Sequence, residues 1–277
     1  MKKLFLVLAA VSLAAAAFAQ PKLVAHRGFY TTPGADENTI TSLNNALALG
    51  LYGVEFDVNL TADDELIVFH GPKVTDKLDA QRSAYSDIRE VILPNGNRIP
   101  TLREFLIEGR KSPQTKLILE LKRHATPATE TRIVERIVAL CKELNMLEQM
   151  EFTSFSRHAC REFVRCAPNN PVLYISSSLS TDVTADVAKD EGYNLSYSIY
   201  ILLNRPDMVD RMNELGVEST LWIVDSEELV DWAVKHRCTF ISSNYPDKIK
   251  AYLDSPAVKK AAARAEKAAA KAKKSAK

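Results

Sequence analysis

Glycine is scarce in this sequence, and the glycine-rich motifs of several enzyme classes are absent. Only 9 of the 277 residues are glycine, and no glycine-rich phosphate loop follows the first strand-like segment. An open, doubly wound sheet usually carries such a loop, so that architecture is disfavoured. A Gly-x-Ser-x-Gly elbow is also missing, which leaves catalysis by a nucleophilic serine poorly supported.

The sequence also has few cysteines and almost no net charge. The spacing of Cys141, Cys160, Cys166 and Cys238 fits no zinc motif. Cys160 and Cys166 are close enough in sequence to pair in an oxidising compartment, but buried free thiols are the favoured prediction. The formal net charge of +1 provides no general attraction for nucleic acid, so nucleic acid is not expected as a partner.

Long apolar runs are confined to the N-terminus, so no transmembrane segment is predicted in the rest of the chain. Two lysines precede an apolar run at residues 4–16, and a small-x-small sequence ends at Ala19. This pattern predicts a secretory signal peptide over residues 1–19, cleaved to leave Gln20 first. A periplasmic or secreted location follows. The alternative is an uncleaved membrane anchor.

Strand-like and helix-like segments alternate in the remainder of the sequence. Eight such units in strict alternation predict a closed parallel (β/α)8 TIM barrel, as a single catalytic domain over residues 20–256. The predicted strands are residues 23–26, 52–58, 116–121, 151–154, 172–176, 195–200, 218–224 and 239–242. The predicted helices are residues 37–49, 101–110, 128–144, 157–165, 181–190, 206–216, 226–236 and 246–253.

One strand-like segment, residues 66–69, breaks this alternation. It follows the second strand after only about six residues, whereas a parallel crossover needs roughly a dozen or more. It is therefore predicted to run antiparallel, as a hairpin that turns at residues 62–65 and extends the second strand. Pairing across that turn places His70 roughly opposite Asp57. Residues 71–100 then form a small insertion, a candidate substrate cap.

The C-terminal tail, residues 257–277, is dominated by alanine and lysine. It has helical propensity but shows no apolar stripe that could be buried. We predict a solvated or frayed extension. A functional alternative is weak contact with an anionic surface, such as a membrane or envelope polymer.

Acidic residues are concentrated where the predicted strands end, which is where barrels of this kind carry their active sites. Glu55 and Asp57 are two residues apart and share one face of a strand, and Glu120 adds a third carboxylate. Three hard oxygen ligands suit Mg²⁺ or Ca²⁺ better than zinc. The alternative is a salt-bridge cluster with Arg27 and Lys122.

Histidine and basic residues accompany these carboxylates. His26 ends the first strand and His70 folds back against the second, so the two could serve as general acid and base. Arg27 and Lys122 could hold the oxygens of a phosphate. These residue types predict a metal-dependent phosphodiesterase.

Several short motifs, specific in combination, resemble the glycerophosphodiester phosphodiesterases over roughly residues 22–250. The main ones are Ala25-His26-Arg27-Gly28, Glu37-Asn38-Thr39, Gly53-Val54-Glu55-Phe56-Asp57-Val58, Val68-Phe69-His70 and Leu119-Glu120-Leu121-Lys122. The resemblance implies a phospholipase C-like barrel. It also implies cleavage of a small-molecule glycerophosphodiester to sn-glycerol 3-phosphate and an alcohol, through a cyclic phosphate formed by the glycerol 2-hydroxyl.

The same resemblance implies a role for each candidate residue. The implied roles are metal ligation by Glu55, Asp57 and Glu120, acid–base catalysis by His26 and His70, phosphate binding by Arg27 and Lys122, a position close to the site for Glu37, and lining of the glycerol or headgroup pocket by Trp222. For Trp222, a core position is an alternative. Other substrates remain open, namely a lysophospholipid, glycerophosphoinositol or an envelope polymer, as does a non-catalytic barrel that binds envelope components.

The sequence departs from the family pattern at three places. Asp36 stands where proline is usual before the Glu-Asn-Thr motif. Gly71 replaces the acidic residue that usually follows the histidine of the second strand's hairpin. Ser243-Asn244 stands where an acidic residue is common. Because Gly71 removes a carboxylate near the insertion, the headgroup preference does not follow from the resemblance.

Overall fold

The computed structural model describes residues 20–178 and 183–275. The predicted signal peptide, residues 1–19, and the first two residues of the helix predicted at 181–190 lie outside the described residues. Within the described part, no helix has both the length and the apolar character that crossing a membrane requires.

A closed barrel of eight parallel strands forms the centre of the molecule, and it confirms the predicted (β/α)8 fold. The described residues form nine strands: β1 (Lys22–Ala25), β2 (Gly53–Leu60), β3 (Leu66–Val68), β4 (Lys116–Leu121), β5 (Met150–Ser154), β6 (Val172–Ser176), β7 (Asn194–Ser198), β8 (Ser219–Trp222) and β9 (Phe240–Ser243). Strand β1 pairs in parallel with both β2 and β9, which closes the barrel. Strand β3 is the antiparallel addition at the edge of β2.

Helices follow the barrel strands and cover the outside of the barrel. They are α1 (Ile40–Ala48), α2 (Tyr85–Ile88), α3 (Leu102–Gly109), α4 (Pro127–Glu143), α5 (Arg157–Cys166), α6 (Ala185–Glu191), α7 (Ile199–Leu202), α8 (Pro206–Leu215), α9 (Glu227–Lys235), α10 (Pro246–Leu253) and α11 (Pro256–Ser275). Thr101 and Ser226 cap α3 and α9, because their hydroxyls accept backbone N–H groups of the first turn.

The hydrophobic core lies between the strands and these helices. Phe56 packs on Phe105 and Phe152 on Phe163, with ring centroids 4.4 Å apart in both pairs. All four rings are fully buried. Each such side chain contributes about 1.5–3 kcal/mol through its removal from water. The core thus holds the strand ends, and any residues carried on them, in fixed positions.

The hairpin predicted for residues 66–69 is confirmed. Val58 pairs with Val68, and the N–H of Phe69 donates to the carbonyl of Asp57 over 2.9 Å. Phe69 is therefore opposite Asp57, and His70 lies one residue beyond the predicted position. The insertion that follows has its own small apolar cluster, formed by Ile67, Ala80, Ile88 and Ile99.

Two predicted strands end two residues earlier in the structure. The strand predicted at residues 195–200 ends at Ser198, because the chain enters α7. Ile199 and Leu202, three residues apart, are both buried while Tyr200 is exposed, which is a helical rather than an alternating pattern. The strand predicted at residues 218–224 is also shorter in the structure, where β8 covers Ser219–Trp222.

The prediction of a tail without a buried face is wrong at its beginning. Helix α11 packs against α9 and α10, and Val258 and Ala262 are buried in the main core. These two residues are four apart and share one helix face. A valine and an alanine are enough to anchor the first turns of a helix that is otherwise rich in exposed lysine.

All four cysteines are free thiols. Cys160 and Cys166 both lie on α5, six residues apart, so they point to different sides of the helix. Cys141, Cys160 and Cys238 are buried, and burial raises the pKa of each thiol. The favoured prediction of buried free thiols holds for these three.

Candidate active site

The predicted site residues meet at one end of the barrel, where the parallel strands finish. His26 and Arg27 follow β1, and Lys122 follows β4. Asp57 and Glu120 are direct neighbours across the pair of strands that carries them. The strand register therefore brings together residues that are far apart in the sequence, at the rim where barrel enzymes have their active sites.

Glu55, Asp57 and Glu120 form a compact group, which we call the carboxylate cluster. One oxygen from each residue lies within 4.8 Å of the others, a spacing that could accommodate a metal ion. The Oε1 atom of Glu55 is buried and has no hydrogen-bond partner within the described part of the chain. A buried carboxylate oxygen without a partner is costly. Oxygen-only ligands and an unused acceptor fit a hard divalent cation.

The pKa values of the cluster reflect this crowding. Burial raises the pKa of Glu55 well above its ordinary value, and the charges of Asp57 and Glu120 raise it further. Burial and the charge of Asp57 raise the pKa of Glu120 to about 7. Burial by itself would raise the pKa of Asp57, but the charges of Lys122, His70 and Arg27 outweigh this effect. The pKa of Asp57 is therefore lowered. Asp57 is thus the fixed negative charge of the cluster.

Asn38 holds Asp57 in place and was missed by the sequence reasoning as a site residue. Its side-chain nitrogen donates to Asp57 Oδ2 over 2.8 Å, and its side-chain oxygen accepts the N–H of Asp57 over 3.0 Å. Asn38 itself has a left-handed backbone, with φ of 60°, which asparagine tolerates better than most residues. The Glu-Asn-Thr motif was the available signal for it.

A tight turn after β1 directs Arg27 at the cluster. Its backbone N–H donates to Glu55 Oε2 over 2.9 Å. Gly28 has a φ of +79°, and a Cβ there would lie 2.6 Å from the hydroxyl of Ser42. Only glycine fits both the backbone conformation and the space, which explains the His-Arg-Gly sequence at this position.

Both predicted phosphate-binding cations are paired with carboxylates. The Nη1 atom of Arg27 donates to Glu37 Oε2 over 2.9 Å, which places Glu37 beside the site. The Nζ atom of Lys122 donates to Glu120 over 2.7 Å and to Asp57 over 3.2 Å. The salt-bridge cluster that the sequence left as an alternative is therefore present as geometry. It also leaves both cations at the cluster, where a phosphate could bind them.

His26 is held by an amide rather than by a carboxylate. Its Nδ1 lies 2.8 Å from Asn244 Oδ1, and its Nε2 lies 3.9 Å from Glu55 Oε2. Burial and the charge of Arg27 lower the pKa of His26 to about 4, so the ring is neutral at pH 7. Because an amide oxygen can only accept, Nδ1 carries the proton and Nε2 is the free base.

Asp225 fixes the orientation of that amide and was also missed. Its Oδ2 accepts from Asn244 Nδ2 over 2.8 Å, and its Oδ1 accepts from the backbone N–H of Asn244 and from Ser243 Oγ. Tyr30 adds a hydroxyl donor to Asn244 Oδ1. The departure noted at Ser243-Asn244 was the only sequence signal for this arrangement.

His70 lies on the other side of the cluster. It is half-buried, and burial is the main cause that lowers its pKa, against the opposing charge of Asp57. Together with His26 it lines a cavity of about 130 Å³ that also exposes Glu55 and Glu120. We call this the rim cavity. The structure thus brings both predicted acid–base residues to one space.

Aromatic side chains form the far wall of the rim cavity. Trp222 lines it, as expected, and packs edge-on against Phe155 with ring centroids 5.9 Å apart. The indole N–H of Trp222 is buried without a hydrogen-bond partner among the described residues. Trp222 therefore offers an unused donor in the wall of the rim cavity.

A comparison with known proteins assigns the chain to one family. The family model described as "Glycerophosphoryl diester phosphodiesterase family" matches residues 26–248, which is most of the chain. The chain belongs to this family. It is accordingly an enzyme of the phosphoric diester hydrolase class, as the sequence motifs predicted.

Individual relatives agree with that assignment. A glycerophosphodiester phosphodiesterase of Caldanaerobacter subterraneus subsp. tengcongensis is 25% identical over 243 residues, which are 82% of this chain and 95% of the relative. The crystal structure of a glycerophosphodiester phosphodiesterase from Parabacteroides distasonis is 33% identical, with a TM-score of 0.81, and the match covers 86% of this chain and 98% of the other.

A third likeness concerns the fold alone. An Oleispira antarctica phosphodiesterase, solved in complex with the product sn-glycerol-3-phosphate, is 20% identical with a TM-score of 0.74. The match covers 85% of this chain and 98% of that protein. The same barrel architecture is thus found in a phosphodiesterase with a bound phosphate monoester.

Proposed function

We propose that this enzyme is a metal-dependent glycerophosphodiester phosphodiesterase that releases sn-glycerol 3-phosphate by acid–base catalysis with His26 and His70. The observation that carries the proposal is the rim cavity, which both histidines share with Glu55 and Glu120 of the carboxylate cluster. Family membership supports the reaction class. The roles of the individual residues rest on the geometry described above.

His26 is suited to accept a proton. Its Nε2 is unprotonated because Asn244 holds the proton on Nδ1. When Nε2 takes the proton of the glycerol 2-hydroxyl, the Glu55 carboxylate at 3.9 Å stabilises the resulting imidazolium. The 2-oxygen then bonds to phosphorus while the bond from phosphorus to the alcohol breaks, and the protonated form of His70, on the opposite side, is placed to donate its proton to that alcohol. Water then opens the cyclic phosphate to give glycerol 3-phosphate.

The cations and the carboxylate cluster are suited to the charged phosphate. Arg27 and Lys122 carry donors within the cluster and can transfer them to phosphate oxygens, which form strong charge-assisted hydrogen bonds. Glu55, Asp57 and Glu120 would hold Mg²⁺ or Ca²⁺, and a bound divalent ion would neutralise them and polarise a phosphate oxygen. Trp222 would contact the glycerol portion through its ring and its N–H.

A direct assay tests this proposal. The chain from Gln20 onward is incubated with glycerophosphodiesters in the presence of Mg²⁺ or Ca²⁺ and separately with EDTA, and glycerol 3-phosphate is measured. We expect release that depends on the metal. Equal release in EDTA would remove the metal from the mechanism, and no release in any condition would refute the activity.

Export is a further part of the proposal, supported by the sequence of residues 1–19. N-terminal sequencing of the protein secreted to the periplasm or medium should begin at Gln20.

Weak contact with an anionic surface is supported by the exposed basic residues of α11, which are Lys259, Lys260, Arg264, Lys267 and Lys271. Sedimentation with anionic and with neutral vesicles, at low and high salt, tests that contact.

A further inference from the structure

A second depression adjoins the rim cavity on the side of His70. It has a volume of about 460 Å³ and shares His70, Lys122 and Phe155 with the rim cavity. We call it the side groove. Its outer wall includes Gln81 of the insertion and Arg123 of the segment after β4. Any group that leaves the phosphate past His70 enters this groove.

Hydrogen bonds fix Gln81 in the wall of the side groove. Its side-chain nitrogen donates to Asn59 Oδ1 over 2.8 Å and to the carbonyl of Arg123 over 3.0 Å. Asn59 is held in turn by a bond to the carbonyl of Phe69. With both protons of the amide engaged, Gln81 presents its Oε1 as an acceptor.

Arg123 supplies the complementary donors. Its Nε and Nη2 atoms donate to the carbonyl of Phe155 over 3.1 and 2.5 Å, which fixes the plane of the guanidinium. No carboxylate of the described residues pairs with it. The Nη1 protons and the second Nη2 proton are therefore available to a ligand.

The charge of the side groove discriminates between alcohols. Two cations, Lys122 and Arg123, border it, and its lining contains no carboxylate among the described residues. A quaternary ammonium group requires several aromatic faces or an anion, whereas Phe155 is the one aromatic ring that the described lining provides. A hydroxyl group both donates and accepts, so it can satisfy Arg123 and Gln81 together.

We propose that the side groove binds the leaving alcohol of the substrate and selects a polyhydroxy alcohol, such as glycerol or inositol, over choline. This rests on the proposed function, because the groove is a leaving-group site only if His70 protonates that group. Arg123 and Gln81 are the residues that form hydrogen bonds with the hydroxyl groups of the alcohol.

The test compares four glycerol 3-phosphate esters, those of inositol, glycerol, choline and methanol. For each, kcat/KM is measured for the wild type and for Arg123→Ala, Arg123→Lys and Gln81→Ala. We expect the wild-type kcat/KM for the inositol and glycerol esters to exceed that for the choline ester at least about tenfold. The ratio of inositol to methyl ester should fall about tenfold in the two alanine variants and less in Arg123→Lys.

Arg136→Ala is the matched control, because Arg136 also donates to a backbone carbonyl, that of Asp64, at a distant surface. It should leave the ratio unchanged. A preference for the choline ester, or an equal loss on all four esters in Arg123→Ala and Gln81→Ala, would overturn the selectivity while leaving the activity intact. No turnover of any ester would refute the proposed function and this inference with it.

Discussion

Buried carboxylates occur towards both ends of the barrel interior, and they differ in how they are satisfied. At the lower end, Glu151 accepts a hydrogen bond from the hydroxyl of Tyr52. At the rim, Glu55 keeps a buried oxygen without a partner, and three carboxylates crowd together. Both arrangements carry a cost of burial, but among the described residues the buried carboxylate oxygen without a hydrogen-bond partner belongs to Glu55 at the rim.

That difference separates a structural acid from a functional one. Burial raises the pKa of Glu151, and it also raises the pKa of Glu55 and Glu120. A raised pKa alone therefore does not identify the site. The unsatisfied acceptor, the neighbouring cations and the two histidines do so, and these occur together at the rim.

The largest expected effect comes from the rim histidines. His26→Ala and His70→Ala should each lower kcat by about 10²–10⁴-fold, the usual contribution of general acid–base catalysis. His158→Ala is the control, since this histidine bonds Thr131 away from the site. Steady-state kinetics and thermal unfolding measure the outcome. A near-normal kcat with an unchanged melting temperature would remove that histidine from the mechanism.

A glutamate-to-glutamine substitution at each end of the barrel tests whether the rim carboxylate differs from the lower one in binding a metal ion. Glu120→Gln should weaken the binding of Ca²⁺ or Mg²⁺ at least about tenfold, because one of three charged ligands is lost. Glu151→Gln should leave metal affinity unchanged. Isothermal titration calorimetry on both variants gives the affinities. Equal affinity in Glu120→Gln and the wild type would exclude Glu120 as a ligand.

The metal-free protein should show the cost of the crowded rim in its pH dependence. The pKa of Glu120 is raised from 4.5 to about 7 in the folded state, so folding favours its protonated form. The free energy of unfolding should therefore fall as the pH rises through 4.5–7. In Glu120→Gln, the decrease in the free energy of unfolding over this pH range should be smaller than in the wild type by about 1–3 kcal/mol.

Urea denaturation in EDTA at several pH values between 4 and 8 provides this measurement. Saturating Ca²⁺ should reduce the difference in pH dependence between wild type and variant, because the bound ion would stabilise the buried negative charge of Glu120. An identical pH dependence for the two proteins in EDTA would contradict the assignment of the pKa shift to Glu120.

The smallest expected effect concerns the lower end of the barrel. Tyr52→Phe removes the donor to Glu151 and leaves a buried acceptor unsatisfied, which should cost about 1–3 kcal/mol of stability. The kcat should stay within about twofold of the wild type, since Tyr52 is not among the residues that line the rim cavity. A large loss of kcat at unchanged stability would show that the two ends are not independent.

Much of the fold was predictable because its signals are local. Alternating apolar and amphipathic segments defined the barrel, and the short connection before residues 66–69 required a hairpin. Errors arose where a few apolar residues decided the outcome. Ile199 and Leu202 started a helix inside a predicted strand, and Val258 and Ala262 anchored a tail that had seemed to lack an apolar face.

The sequence alone determined that Glu55 and Asp57 share a strand face, since they are two residues apart, whereas the pairing of β2 with β4 brings Glu120 to them. Only the tertiary structure decided how His26 is oriented. Asn244, directly after β9, bonds His26, and Asp225, after β8, orients Asn244. The closure of β1 on β9 makes His26 and Asn244 neighbours. Periodicity reports which face a residue occupies, whereas hydrogen-bond partners depend on which strands become adjacent, and that is settled by packing across the whole barrel.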